Sequence, residues 1–223
     1  MALSHNLGFP RVGNRRQLKF ALESYWKGQS AADELNTIAL QTRNAVRQYQ
    51  QGLDLQPVGD FSFYDHVLDT SALLGVIPER FEQPADQIVS LDTYFRVARG
   101  RAPTGTDTYA SEMTKWFDTN YHYLVPEIIA DQRFRLASTK LFDEVQEARE
   151  LGIKAKPVLL GPVTWLYLAK VKGDDFDRLS LLPQLLATYG DILNKLNDQG
   201  VEWLQIDEPL LVLDLAPEWQ QAI

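Results

Sequence analysis

Arg11, Arg15, Arg16 and Lys19 fall within nine residues, and no acidic residue appears before Glu23. Guanidinium and ammonium groups gathered this closely are the chemistry of anion recognition. Arg16 and Lys19 are one turn apart and share a helix face. They sit at or near the first turn, where the helix dipole is already positive and cations are mildly unfavourable. A basic cluster set against its own dipole, in a chain of net charge −8, points to a held anion. Composition alone is equally satisfied by a solvated basic surface.

A second constellation is Asp207-Glu208-Pro209, which follows the apolar run Trp203-Leu204-Gln205-Ile206. Residues at the carboxyl ends of strands in α/β barrels face the ligand side, so these carboxylates are candidates for acid–base work. Adjacent strand residues point to opposite faces, so at most one of the two turns inward. Either could instead cap a helix or pair with an arginine. Gly59-Asp60 invites the same reading. His5, His66 and His122 lack metal-ligand spacing and read as structural or surface residues. Trp116, Phe117, Tyr121 and Tyr123 could line a pocket for a flat ligand, or simply fill a core. No phosphate-cradling glycine loop and no nucleophile elbow is present.

The elements that must position these residues read as strands alternating with helices. Strands are expected near residues 7, 56, 122, 158 and 204, running parallel. Helical stripes follow at Leu18–Tyr25, at Leu35–Tyr49 behind a Ser30/Asp33 capping box, from Asp60 to Leu74, at Asp92–Ala98, at Ser138–Leu151 and at Leu181–Leu196. Gly100–Thr108 is a loop, and Gly161-Pro162 breaks the strand Pro157–Leu160. Alternation of this kind implies parallel pairing with right-handed crossovers. About five βα units fit either a doubly wound sheet or part of an eight-fold barrel, which usually needs about 250 residues. No linker, repeat or low-complexity tract divides the chain, so residues 1–223 read as one domain.

Composition narrows the function. Thirty acids against 22 bases argue against nucleic-acid binding by bulk charge. The absence of cysteine excludes disulfides, thiolate metal sites and cysteine nucleophiles, and fits a cytoplasmic location. No apolar run approaches the roughly 20 residues of a membrane span, and the start lacks the apolar stretch of a secretory signal.

Several longer motifs are more specific. His5-Asn6-Leu7-Gly8-Phe9-Pro10-Arg11-Val12-Gly13 followed by Arg15-Arg16-Gln17-Leu18-Lys19 closely resembles the opening of the cobalamin-independent methionine synthases. So do Pro57–Phe61, Tyr64–Val67, Gly100–Gly105, Met113–Phe117, Asn120–Tyr123, Lys156–Trp165 and Gln205–Pro209, in the same order along the chain. The resemblance implies a methyltransferase that passes the methyl group of 5-methyltetrahydropteroyltriglutamate to homocysteine, giving methionine without cobalamin. It implies two (β/α)8 barrels, with a zinc ion in the carboxyl-terminal one. It also implies that Arg16, Gln17, Leu18, Lys19 and Lys115 contact the folate substrate, which agrees with the anion inference because that substrate carries a polyglutamate tail. Members commonly have Glu where this chain has Gln17.

The family's proteins are much longer. The expectation is therefore an amino-terminal barrel truncated after about five βα units, with no catalytic residue and no metal ligand in this chain. Such a piece would be inactive alone and, with open sheet edges, prone to self-association. A barrel glycosidase using Asp207 or Glu208 with Asp60, or an inert structural fragment, are the competing readings.

Overall fold

A computed structural model describes residues 2–9, 13 and 15–223; Pro10, Arg11, Val12 and Asn14 of the opening motif, and so the Arg11 member of the basic cluster, lie outside the described residues. Helices α1 (Gln17–Trp26) and α2 (Ala32–Tyr49) come first, followed by β1 (Gln56–Val58), α3 (His66–Leu73) and α4 (Leu91–Arg99). Next are β2 (Met113–Lys115), β3 (His122–Leu124), β4 (Glu127–Ile128) and α5 (Lys140–Glu150). The remainder is β5 (Ala155–Leu160), α6 (Pro162–Leu168), β6 (Lys170–Val171), α7 (Leu182–Asp198), β7 (Gln205–Asp207) and α8 (Pro217–Gln221). Among the described residues no helix is long and apolar enough to cross a membrane.

The chain is a mixed α/β structure whose centre is a three-stranded parallel sheet in the order β1-β5-β7. Val58 pairs with Pro157, and Leu160 with Asp207, so the carboxyl ends of all three strands lie on one side. β5 is central and largely buried, as the apolar run Pro157–Leu160 requires. Helices α5, α6 and α7 cover it with one apolar cluster built around fully buried Trp165, Leu166, Leu185 and Ile192. Tyr189 of α7 donates to the Leu160 carbonyl at 2.6 Å and fixes the end of β5. A second cluster joins α1 and α2 to α3 and α4 through Leu18, Leu22, Leu35, Leu68 and Phe95.

Two of the five expected parallel strands are otherwise. Among the described residues 2–9 no strand forms near Leu7. That segment is held mainly by side chains: Ser4 N–H and Oγ donate to Asp54, each at 2.7 Å, and Gln205 Nε2 donates to the Leu7 carbonyl at 3.0 Å. Its backbone contributes the Ser4 carbonyl, which accepts from Leu55 N–H at 3.1 Å, and one such bond is no ladder. The strand near 122 is β3, and it runs antiparallel to β2 in a separate hairpin, with Lys115 opposite His122. Local closure through the Trp116–Tyr121 turn, with Phe117 at φ 47°, outcompetes a long-range parallel pairing. A further parallel pair, β4 with β6, was not anticipated.

Several boundaries also move. α2 begins at Ala32 behind an extended Ala31 and has no side-chain cap, so Ser30 does not close a capping box. The helix expected from Asp60 starts only at His66, because Asp65 is the residue whose carboxylate caps it. Gly161-Pro162 ends β5 by starting α6, with proline in the first turn where its missing N–H is harmless.

Candidate functional site

The basic cluster sits on an unusual helix start. Arg16 occupies the N-cap of α1 in the left-handed region (φ 58°, ψ 32°), with no side-chain cap and no acid in the first turn. A non-glycine residue held there stores on the order of 1–3 kcal/mol of strain. The Arg16 carbonyl accepts from Phe20 N–H at 3.2 Å, while the first-turn N–H groups of α1 have no intrahelical acceptor. Gln17 folds back so that its Oε1 accepts from Arg15 N–H at 3.0 Å. Gly13 makes room for that turn: a Cβ there would lie 2.6 Å from Gln17 Oε1. Leu18 is buried in the α1–α2 core, leaving only its backbone at the surface of this turn. Lys19 is exposed and lies 3.8 Å from Glu23, one turn on. Lys115 is exposed at the end of β2. Thus Arg16, Gln17, Leu18 and Lys19 form one group on α1, and Lys115 belongs to the hairpin.

A separate cavity of about 270 Å³ opens at the carboxyl ends of the parallel strands. Its polar wall includes Asp60, Asp69, Lys140 and Asp207, and Trp116 and His66 supply rings; Arg16, Gln17, Lys19 and Lys115 do not line it. Asp60 follows β1 and accepts from Phe9 N–H at 2.8 Å, and burial pushes its carboxyl up. The hairpin turns Lys115 outward and sets Trp116 edge-on against His66, with centroids 4.5 Å apart. Asp65 fixes this arrangement. Its carboxylate accepts from Val67 and Leu68 N–H at the start of α3 (3.2 and 2.9 Å) and from Leu124 N–H of β3 (3.0 Å). Burial pushes Asp65 up to about 6, against those three bonds.

Behind the cavity lies an ionic network that the sequence reading missed. Lys140 Nζ stands 3.1 Å from Glu144 and 3.4 Å from Asp69, and donates to the Phe61 carbonyl at 2.5 Å. Arg43 grips Glu147 with two bonds of 2.6 and 2.9 Å, and Arg47 reaches the same carboxylate at 3.1 Å. Burial works against the Lys140 charge, yet Asp69 and Glu144 hold its ammonium above the usual lysine range. For Glu144 burial prevails and raises its carboxyl despite Lys140 and Arg43. The signal was present as i,i+4 spacings, Lys140/Glu144 on one helix and Arg43/Arg47 on another.

The adjacent carboxylates divide their roles. Glu208 accepts from Val163 N–H (3.1 Å) and Thr164 N–H (2.7 Å), so it caps α6, an earlier helix rather than the next one. Asp207 lines the cavity and accepts from Gln205 Nε2 at 2.9 Å. With both oxygens of Glu208 holding a helix start, the glycosidase reading keeps only Asp207 as the partner of Asp60. Among the described residues no group of three or more His, Asp or Glu is placed to hold a metal ion.

Comparison with known proteins adds the rest. Residues 3–223 match the family model described as "Cobalamin-independent synthase, N-terminal domain". The 5-methyltetrahydropteroyltriglutamate–homocysteine methyltransferase of Yersinia enterocolitica is 60% identical over 222 residues, 99% of this chain and 29% of that protein. The protein of the same name from Shewanella oneidensis is 58% identical over 221 residues, again 29% of its length. The chain therefore spans under a third of the curated relatives it matches.

Proposed function

Because the chain belongs to the cobalamin-independent synthase family, as its N-terminal domain, we propose that it is the folate-holding and scaffolding part of a cytoplasmic methyltransferase. The whole protein would carry the methyl group of 5-methyltetrahydropteroyltri-L-glutamate to L-homocysteine, forming L-methionine. In this reading residues 1–223 are the first part of an amino-terminal (β/α)8 barrel, its parallel strands β1, β5 and β7 being three of the eight. The domain has no methyltransferase activity alone. Zinc belongs to the remainder of the longer protein. The donors here do not suit it: there is no cysteine, and the described histidines, His5, His66 and His122, lie on separate segments.

The start of α1 is the observation that carries this reading. A polyglutamate tail is a polyanion, and this turn offers first-turn N–H groups with no acceptor among the described residues, a positive dipole end, Arg16 and Lys19, with no acid in the first turn. Gln17 in place of an acid keeps negative charge away from the tail, and Leu18 anchors the turn to the core. Lys115, exposed on the hairpin, would serve as a further charge-assisted partner of the same tail. Each exposed cation is worth about 0.2–1 kcal/mol toward a carboxylate, less in salt.

Isothermal titration of the chain with mono- and triglutamate forms of 5-methyltetrahydrofolate tests the proposal. The triglutamate should bind more tightly, salt should weaken it, and Arg16→Glu or Lys19→Glu should erase the difference between the two forms. Equal affinity for both forms, or equal losses on substitution, would leave α1 as a solvated surface.

A further inference from the structure

Lys156 lies on β5, and strand alternation turns its side chain to the opposite face from Pro157. It is only 5% exposed, and burial pushes its ammonium down. Asp207 and Asp60 oppose this from a distance, with no ion pair to either among the described residues. A buried ammonium without a carboxylate costs free energy that an apolar side chain in the same place would not. What this charge holds is the segment ahead of α1. Nζ donates to the Asn6 carbonyl at 2.8 Å and to Gln205 Oε1, and lies 3.2 Å from His5 Nδ1. Gln205, on the neighbouring strand β7, donates in turn to the Leu7 carbonyl at 3.0 Å. Phe9 follows, with its N–H on Asp60 and its ring stacked on Tyr49 of α2 at 6.1 Å. Shortly after it, the Gly13 carbonyl accepts from Arg16 N–H at 3.3 Å, inside the turn that Gln17 Oε1 closes on Arg15 N–H.

We infer that Lys156, together with Gln205, is a positioning residue for the anion-holding turn of α1. The pair fixes His5, Asn6 and Leu7 on the sheet and so sets how the chain enters the helix. Arg16 stands at φ 58°, and a strained residue keeps such a conformation only where its surroundings over-determine it. A segment with no ladder of its own cannot supply that constraint, and the buried ammonium on β5 does. The inference rests on the reading of α1 as the tail site, and it names what holds that site in shape.

Lys156→Met keeps the length of the side chain and removes its donors and its charge. Amide hydrogen exchange is read by NMR at Arg15, whose N–H is held by Gln17 in the ligand-free chain. Exchange there should rise by about tenfold, while the amides of α7 stay as they are. Triglutamate 5-methyltetrahydrofolate should bind at least about fivefold more weakly, with the monoglutamate unchanged. Gln205→Ala, on an edge strand, is the second arm; it should move Arg15 in the same direction and decides the matter where Lys156→Met does not fold. Ile192→Val trims the core at α7, away from the segment, and should leave Arg15 unmoved. Unchanged exchange at Arg15 in both arms overturns the inference. So does an equal change in Ile192→Val, or a triglutamate preference indifferent to Lys156→Met. If the unsubstituted chain binds both folate forms equally, the tail reading falls, and the exchange at Arg15 still decides whether Lys156 positions the turn.

Discussion

Lys140 and Glu144 face one another across 3.1 Å, but removing one should not equal removing the other. Lys140→Met leaves Asp69 and Glu144 as two carboxylates with no shared cation and leaves the Phe61 carbonyl without its 2.5 Å donor. Breaking a buried pair this way costs about 3–5 kcal/mol. Glu144→Gln is gentler. Lys140 keeps Asp69, Arg43 keeps its two bonds to Glu147, and the amide oxygen still accepts from Gly59 N–H, now 3.2 Å away. The substitution also removes a carboxylate whose burial outweighs its partners, so the loss should be about 1 kcal/mol or less. Both groups are shifted up, which marks a favoured charge on Lys140 and a disfavoured one on Glu144. One cation shared by two acids accounts for both. Urea and thermal unfolding followed by circular dichroism would measure the difference. At about 2–4 °C per kcal/mol for a chain of this size, Lys140→Met should lower Tm by about 6–20 °C. Adding Glu144→Gln to Lys140→Met should restore about 1–2 kcal/mol, because one stranded charge disappears. Equal losses for the two single variants, or strict additivity in the double, would refute the shared-cation account.

Other outcomes follow from the same geometry. Glu208→Ala strips the acceptors from Val163 and Thr164 N–H and should cost about 1–2 kcal/mol in chemical unfolding; no loss would mean that α6 needs no cap. For Asp65 the folded carboxyl lies above its unfolded value of 3.8, at about 6, so the folded state binds the extra proton between those limits. Its contribution should therefore fall as pH rises from 4 to 6 and stay level above, by on the order of 2–3 kcal/mol. Stability of the chain relative to Asp65→Asn, measured across that range, should show this slope, and a flat difference contradicts it. β7 is an edge strand beside exposed Trp203, Ile206, Leu211 and Val212, so sedimentation velocity should show mass rising with concentration and a hydrophobic dye should bind. A monomer at high concentration that ignores the dye would count against that edge being sticky.

The sequence by itself determined the periodic elements and the family. The helices at α1, α4, α5 and α7 and the strand at β5 are written in apolar stripes and in glycine or proline stops, which act over a few residues. The collinear motifs from His5 to Pro209 identified the family without any coordinate. Tertiary structure decided what depends on partners far along the chain. It turned β3 into a hairpin with β2, because closing a short turn is entropically cheaper than reaching a distant parallel neighbour. It gave Glu208 to the start of α6, some 45 residues earlier, which no local spacing could reveal. It also set Lys140, on α5, against Asp69, on α3, and stacked Arg43 of α2 onto Glu147. Charges so far apart in sequence look like solvated faces until packing removes the water between them. Burial then makes their pairing obligatory, and burial is a property of the fold.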